Sequence, residues 1–334
     1  MNKKLLCLIL MAFCAQVMSC GEKTHTVSLP AMGTLFTITV VCTDAEAAKI
    51  FEAVSIEVKR LEKLMSPYLP ESDIYRLNNE GKAKLTPETY NIIERSVAMS
   101  KASDGAFDIS FVPLGAIWNY KAENFVLPSA ARIKQALALV DYRNILFSND
   151  NTVSFAKTGM QIGLGGIAKG YAVDCIETVM RNMGAKAGMA DAGGNLSVFG
   201  KGPNGLWNVG VRHPRAESVI CTVKLESGEA VSTSGDYERF VMYNGKRYHH
   251  IIDPKTGFPA QGLISVTVIC KGAELADAAS TAIFVMGPKR SEEFLKQHSD
   301  LSVIMIDSQL NVYASKRLQN RLSFFEKLDI TWLP

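Results

Sequence analysis

The sequence has few of the features that mark metal-finger, disulfide-stapled or nucleic-acid-binding proteins. Its 334 residues include seven cysteines, none of them in CxxC or zinc-finger spacing, and the four beyond residue 20 are expected to be buried free thiols. The formal net charge is only +3, so no basic surface argues for nucleic acid. Repeats and low-complexity linkers are also lacking. With 47% hydrophobic residues, a chain of this length can bury a core without staples, and we expect a globular protein with no nucleic-acid partner.

A hydrophobic run without charges occurs at the N-terminus. Lys3 and Lys4 precede the apolar residues 5–13, and Val-Met-Ser at 17–19 leads into Cys20, as in a bacterial lipoprotein signal. The run is too short to cross about 30 Å of hydrocarbon. We therefore predict a signal peptide at 1–19, a lipid anchor on Cys20, a tether at 20–28 and one domain at 29–330. The predicted location is the bacterial cell envelope, on the periplasmic side and attached to the membrane by lipid.

The periodicity of apolar residues beyond the leader predicts an α+β fold. Residues 35–41 alternate as a half-buried strand, and a capping box at Thr43 and Glu46 begins a helix that runs to about residue 64. Thr86-Pro87 begins another helix that ends near residue 105. We further predict helices at 129–140 and 167–183, a hairpin at 144–155, and strands at 196–199, 207–211, 219–225, 237–243 and 263–270. Two helices and a closing strand at 301–306 follow, and the segments 65–68 and 72–78 are predicted to be loops.

Residues 248–259, Tyr-His-His-Ile-Ile-Asp-Pro-Lys-Thr-Gly-Phe-Pro, place two histidines and an aspartate in a turn marked by proline and glycine. Histidine and aspartate are side chains that transfer protons or orient the group that does. His250 is predicted to be a general base, with Asp253 orienting it or holding the turn, and His249 is expected at the surface. The alternative is that His250 is a hydrogen-bonded core residue and Asp253 only caps the turn.

Residues 163–171, Gly-Leu-Gly-Gly-Ile-Ala-Lys-Gly-Tyr, form a glycine-rich bend before a predicted helix. They are not a P-loop, because Lys169 precedes the last glycine and no Ser or Thr follows it. They are not a Rossmann fingerprint either, because the strands that follow are not separated by helices. Exposed N–H groups at the start of a helix favour a phosphate site, and the alternative is a tight helix start that uses glycine for close packing.

Three oxygen-bearing side chains lie on one face of the predicted helix 274–286. Asp277, Ser280 and Thr281 occupy positions i, i+3 and i+4, which share a helical face. Carboxylate and hydroxyl oxygens suit Mg²⁺, which binds few protein ligands together with substrate phosphates. From these residues alone, a solvated or capping cluster is the alternative.

These strings occur in one order with three others: Ala-Met-Gly-Thr at 31–34, Gly-Ala-Phe-Asp at 105–108 before Pro113-Leu114, and Ser-Thr-Ser-Gly-Asp-Tyr at 232–237. Together they resemble the ApbE family of FAD:protein FMN transferases over about residues 32–287. The resemblance implies an α+β, ApbE-like mixed fold of two intimately packed lobes, with the FAD site in the cleft between them.

The resemblance also implies which residues form the site. The expected flavin-binding positions are Met32, Tyr68, Ala106, Phe107, Asp108, Gly163, Lys169 and Ile251. The expected metal ligands are the backbone oxygen of Gly166 and the side chains of Asp277 and Thr281, with Ser280 standing where some members have a second aspartate. Gly163 departs from the family, which usually has aspartate there.

The activity implied by the resemblance is Mg²⁺-dependent transfer of FMN from FAD to a Ser or Thr hydroxyl of an exported acceptor protein, with release of AMP. The expected acceptors are exported flavoprotein subunits that carry a short Ser/Thr-containing motif. Two alternatives stay open: a Mg²⁺-dependent FAD pyrophosphatase that gives FMN and AMP, and a non-catalytic FAD-binding lipoprotein.

Overall fold

The computed structural model describes residues 22–120, 125–202 and 205–334, in which the chain forms seven α-helices and seventeen strands. The predicted signal peptide and Cys20 lie outside these residues. The helices are α1 (Asp44–Met65), α2 (Asp73–Glu80), α3 (Pro87–Ala102), α4 (Val112–Ile117), α5 (Ala130–Leu137), α6 (Ala168–Asn182) and α7 (Ala273–Gln297). The strands are β1 (Lys23–Ala31), β2 (Thr34–Cys42), β3 (Lys82–Lys84), β4 (Ile145–Ser148), β5 (Thr152–Phe155), β6 (Ala187–Ala192), β7 (Asn195–Phe199), β8 (Trp207–Arg212), β9 (Val219–Leu225), β10 (Glu229–Gly235), β11 (Phe240–Tyr243), β12 (Lys246–His249), β13 (Leu263–Lys271), β14 (Ser302–Asp307), β15 (Val312–Ser315), β16 (Leu322–Phe324) and β17 (Ile330–Leu333).

A nine-stranded sheet in the order β1-β2-β6-β7-β10-β13-β14-β15-β17 is the centre of the fold. Neighbouring strands in it are antiparallel, except for the parallel pair β15 and β17. A three-stranded sheet, β16-β9-β8, packs on one face of it. Two smaller sheets, β3-β5-β4 and the ribbon β11-β12, complete the strands. This mixture of helices and sheets confirms the predicted α+β class.

The middle of the central sheet is buried on both faces, which explains the nearly unbroken apolar sequences of β13 and β14, whereas the edge strand β1 is exposed on alternate residues. In β14, Val303 and Met305 belong to the core that includes the helices, while Ile304 and Ile306 belong to the core under the three-stranded sheet. Burial of each such side chain contributes about 1.5–3 kcal/mol. An irregularity in β13 beside Ser265 shifts the register by one residue, so that the inward-facing positions change parity along that strand.

Local signals in the sequence explain why several helices begin where they do. The capping box before α1 is present: Glu46 N–H donates to Thr43 Oγ1, and Thr43 N–H donates to Glu46 Oε2 at 2.9 Å. Pro87 begins α3, where its missing N–H costs nothing. The two helices predicted before the closing strand are present as the two parts of α7, which non-helical backbone at Gly287 (φ 72°, ψ 174°), followed by Pro288, separates.

Several predictions from the sequence are wrong. The tether predicted at 20–28 lies in β1 from Lys23 onward, and the fold continues past residue 330, through β17 to Leu333. Residues 72–78, predicted as a loop, contain most of α2, which Ser72 caps by accepting the Tyr75 N–H. The strand predicted at 237–243 begins only at Phe240. Strands β1, β3, β6, β10, β12, β15, β16 and β17 and helix α4 were not predicted.

The four cysteines beyond residue 20 are free thiols, as predicted, although Cys175 is only half-buried. Among the described residues, no helix has both the length and the apolar character that a membrane crossing requires.

Candidate active site

The site is built on the contact between the start of α6 and the start of α7. Gly170 lies at this contact, where an added Cβ would be 2.1 Å from the Ala273 carbonyl oxygen and 2.8 Å from Asp277 Cβ. Any larger residue would force the helices apart. The close approach brings the glycine-rich bend of residues 163–170 directly against the face of α7 that carries Asp277.

The contact also satisfies a donor at the start of α6. Gly170 N–H, one of the first-turn N–H groups that have no acceptor within the helix, donates to Asp277 Oδ2 at 3.0 Å. Within the described parts of the chain, nothing donates a hydrogen bond to the Gly166 oxygen. Thr281 Oγ1 lies 3.4 Å from where a Cβ on Gly166 would stand. The structure therefore brings the three residues predicted as metal ligands to one helix contact.

These residues fit a hard divalent cation. The set consists of a carbonyl without a hydrogen-bond donor, a buried carboxylate and a hydroxyl, which are the oxygen ligands that Mg²⁺ prefers. Burial raises the pKa of Asp277, and the Lys169 ammonium and the Gly170 N–H act against that rise. The fourth predicted ligand, Ser280, is fully buried and donates its hydrogen bond to the Asp277 carbonyl at 2.9 Å.

Lys169 supplies a positive charge beside these oxygens. Its ammonium donates to the Gly165 carbonyl at 2.8 Å and lies 3.6 Å from Asp277 Oδ2. An anion seated at the start of α6 would meet this charge together with the positive end of the helix dipole.

The corner at 248–259 is held by its own backbone and by Asp253. Lys255 N–H donates to Asp253 Oδ1 at 2.9 Å, and Gly257 N–H donates to the Asp253 carbonyl at 2.8 Å. His250 Nδ1 has no hydrogen-bond partner in the described residues, so Asp253 does not orient it through that atom. Of the two roles predicted for Asp253, the geometry supports holding the turn.

His249 is buried, not at the surface as predicted. Its Nε2 donates to the Ala260 carbonyl at 2.9 Å, and its ring packs edge-on against Phe284 at a centroid distance of 5.4 Å. Burial lowers its pKa. His249 therefore belongs to the structural support of the corner.

His250 has the electrostatic character of a neutral acceptor. Burial, then the positive charge of Arg239, then His249 and Lys169, lower its pKa from 6.5 to about 4. The imidazole is thus uncharged at neutral pH and keeps an unprotonated nitrogen.

Arg239 is a site residue that the sequence reasoning missed. Its side chain is exposed, and its Nη2 atom lies 3.9 Å from where a Cβ on Gly33 would stand, next to Met32. It makes no salt bridge with a carboxylate in the described part of the chain. The available signal was its place directly after residues 232–237, but sequence alone does not show that it reaches the turn between β1 and β2.

Of the predicted flavin positions, Ala106, Phe107 and Ile251 are buried, whereas Met32 and Tyr68 lie in a turn and a loop. Phe107 is buried, and its Cε2 atom lies 3.1 Å from the Cβ position of Gly166, so this ring borders the candidate metal site. Ala106 and Ile251 are buried core residues. Met32 has a positive φ of 49° in the turn after β1, and its N–H donates to Glu62 Oε1 at 2.7 Å. Tyr68, with 86% of its surface exposed, is free to stack on a planar ring.

Asp108 serves the protein's own backbone. Its carboxylate accepts hydrogen bonds from Ser110 N–H, Ser110 Oγ and Tyr142 N–H at 2.7–2.9 Å, and burial raises its pKa despite them. It holds the segment 106–108 in place. The salt bridge between Lys255 and Asp104 joins this segment to the histidine corner.

Gly163 lies in a crowded position. A Cβ there would stand 2.9 Å from Val112 Cγ2 and 3.4 Å from Phe111 Cε1. In this chain the side chains of 111 and 112 therefore fill the space into which a larger residue at 163 would extend.

Two other features do not form alternative sites. Potential ligand atoms lie within 4.8 Å of one another on Glu57, Glu88 and Cys175. Arg60 already donates hydrogen bonds to both carboxylates and so engages their oxygens. Two surface depressions of about 320 and 340 Å³ are bordered mainly by charged and polar side chains and include none of the predicted site residues.

Comparisons with known proteins find relatives over most of this chain. Residues 32–305 match the model of the ApbE family. A Treponema pallidum protein named FAD:protein FMN transferase is 30% identical over 298 residues, covering 83% of this chain and 82% of its own length. A Klebsiella pneumoniae protein of the same name is 29% identical, with 84% and 88% covered.

Solved structures of similar proteins superpose on most of this chain. The ApbE protein of Thermotoga maritima superposes with a TM-score of 0.84 at 33% identity, covering 91% of this chain and all of that one. The flavinyl transferase ApbE of Pseudomonas stutzeri, in its apo form, superposes with a TM-score of 0.80 at 27% identity, covering 92% and 98%.

Proposed function

The chain belongs to the ApbE family, and on that basis we propose that it transfers FMN from FAD to a Ser or Thr hydroxyl of an exported acceptor protein and releases AMP. Flavin transfer by an enzyme is the activity for which its relatives are named. The hydroxyl acceptor, the need for Mg²⁺ and the leaving group are parts of the proposal.

The observation that carries the proposal is the contact between the start of α6 and α7. Gly166, whose carbonyl accepts no hydrogen bond among the described residues, lies against Thr281 there, and the buried Asp277 carboxylate accepts from Gly170 on the same face of α7. A protein that only stored FAD would have no use for such a set of hard ligands. Gly166, Asp277 and Thr281 would hold Mg²⁺, which supplies charge neutralisation at the phosphates of the substrate.

The chain's own residues account for the rest of the reaction. The acceptor oxygen forms a bond to the FMN-side phosphorus as the phosphoanhydride bond breaks, and the electron pair leaves with AMP. His250, neutral at pH 7, takes the hydroxyl proton. Lys169 and Arg239 attract the diphosphate to the site, because both side chains carry a positive charge close to His250. Tyr68 offers an exposed aromatic ring on which the flavin or adenine can stack, while the buried Phe107 ring borders the candidate metal site.

We also propose that the enzyme acts outside the cytoplasm, attached through a lipid on Cys20. The support is the signal-like sequence of residues 1–19. Attachment there would give the domain access to exported acceptors.

The test is to incubate the purified protein with FAD and Mg²⁺, with and without exported proteins of its host, and to separate the products by mass. An acceptor heavier by one FMN residue, together with AMP, is the expected result. Omission of Mg²⁺ should abolish both products.

Free FMN and AMP in equal amounts with and without acceptor would instead identify a pyrophosphatase. FAD that stays intact with both Mg²⁺ and acceptor present would contradict catalysis and leave a binding protein.

A further inference from the structure

A chain of hydrogen-bonded hydroxyl groups crosses the core behind the candidate metal site. Ser232 and Ser234 lie on the face of β10 that packs against α7, and Asn195 is paired with Ser232 on the neighbouring strand β7. Ser232 and Ser280 are fully buried, and Asn195 is nearly so. Buried polar groups are costly unless each forms hydrogen bonds, and the bonds along this chain supply them.

The order of the protons follows from the end of the chain. Asn195 Oδ1 carries no hydrogen, so Ser232 Oγ donates to it. The only proton of Ser232 is then in use. Ser280 therefore gives its proton to one of two acceptors, Ser232 Oγ at 3.2 Å or the Asp277 carbonyl at 2.9 Å. In either case Ser280 has no proton left for Ser234.

The same reasoning continues to the metal site. Ser234 donates to Ser280 Oγ at 2.8 Å, which uses the proton of Ser234. At 3.4 Å from Ser234 Oγ, Thr281 Oγ1 must then be the donor. The Thr281 proton is directed into the protein, and its lone pairs are left for a ligand on the other side.

We infer that Ser234 and Ser280 are positioning residues that orient the Thr281 hydroxyl as a cation ligand. This rests on the proposed function, because it takes the cation site of Gly166, Asp277 and Thr281 as its starting point. It replaces the ligand role predicted for Ser280 with that of a link in the chain. Groups that orient metal ligands in this way typically change metal affinity 10- to 100-fold when they are lost.

The test is equilibrium binding of Mn²⁺, as a spectroscopic substitute for Mg²⁺, measured by electron paramagnetic resonance with and without FAD. Ser234→Ala should weaken Mn²⁺ binding about tenfold or more. In the transfer assay the same variant should need correspondingly more Mg²⁺ for half-maximal rate, while kcat at saturating Mg²⁺ changes less than about threefold.

Thr233→Val is the matched control. Thr233 is the next residue of β10, and its hydroxyl bonds to Thr267 at 2.9 Å, away from Thr281. It loses the same kind of hydrogen bond, so its melting temperature should fall about as much as that of Ser234→Ala, but its Mn²⁺ affinity should stay at the wild-type value. If Ser234→Ala does not fold, Ser280→Ala removes the acceptor of the Ser234 proton and should weaken Mn²⁺ binding in the same direction.

The outcomes separate this inference from the function on which it rests. Wild-type Mn²⁺ affinity in a folded Ser234→Ala or Ser280→Ala protein, with binding lost in Asp277→Asn, would overturn the positioning role and keep the metal site. Equal weakening in Thr233→Val would also overturn it, since the effect would then be general. Full Mn²⁺ binding in Asp277→Asn would overturn the metal site itself.

Discussion

Replacing Asp277 by asparagine removes one negative charge from the candidate metal site and almost no volume. The amide oxygen can still accept the Gly170 N–H, and Lys169 keeps its bond to the Gly165 carbonyl. The change also removes a buried carboxylate whose pKa burial raises. We therefore expect the free energy of unfolding to change by less than about 1.5 kcal/mol, the net value of one hydrogen bond.

The effect on activity should be far larger. Loss of a group that merely supports a metal ligand reduces affinity or activity 10- to 100-fold, so loss of the charged ligand itself should cost at least about 100-fold. The assay is Mg²⁺-dependent formation of FMN-modified acceptor, with the melting temperature measured on the same preparation. The matched control is Asp307→Asn, since Asp307 is also buried and accepts hydrogen bonds from Gln309 and Asn311 in the turn after β14.

The control should lose about 1–2 kcal/mol of stability and keep its activity, because its carboxylate accepts hydrogen bonds from that turn and from the Tyr313 hydroxyl of β15, and from none of the candidate site residues. Transfer by Asp277→Asn within about threefold of the wild type would refute the reasoning. An equal loss of activity in Asp307→Asn would attribute the effect to stability and would refute it as well.

Three further predictions concern the histidine corner and the helix contact. Because the pKa of His250 is lowered to about 4, kcat/KM should fall only as the pH approaches 4, not near 6.5. His250→Gln should lower kcat by about 10²–10⁴-fold. A fall in kcat/KM centred near pH 6.5, or unchanged turnover in the variant, would exclude His250 as the base. Arg239→Gln should raise the KM for FAD about tenfold. It should also shift the loss of kcat/KM at acid pH to a higher pH, because a positive charge that lowers the His250 pKa is gone. Arg181→Gln, at the far end of α6, should change neither quantity. Gly170→Ala should lower the free energy of unfolding by about 3 kcal/mol or more in chemical denaturation, because its Cβ would overlap the Ala273 carbonyl. In the control Gly165→Ala the new Cβ has no neighbour within 4 Å, so the free energy of unfolding should change by less than about 0.5 kcal/mol.

Much of the fold was predictable because its signals are local. The capping box at Thr43, the proline at the start of α3 and the alternation in β2 each act within a few residues, and the structure has those elements. Strands such as β1, β6 and β17 were missed because they are defined by pairing with distant partners. Helix α2 was missed because its eight residues are mostly polar, so its apolar periodicity is weak.

The candidate site divides along the same line. The sequence by itself predicted that Asp277, Ser280 and Thr281 share one helix face, because i, i+3 and i+4 do so on any helix, whereas their role as metal ligands came from the resemblance to the family. It also determined the family, because the order of the motifs is a property of the chain. The sequence could not separate two adjacent histidines: only the packing of the corner decided that His249 is buried against Phe284 while His250 is only half-buried.

Only the tertiary structure decided how the site's parts act on one another. Gly166 and Thr281 come together only because α7 packs against Gly170, which lies 107 residues from Asp277 in the chain. The place of Arg239 depends on the turn between β1 and β2, and the hydroxyl chain to Asn195 depends on strand pairing. Hydrogen-bond direction and charge proximity are set by distances of a few ångströms. Those distances are fixed by packing between elements that are remote in sequence, while the propensities that form each element are encoded within it.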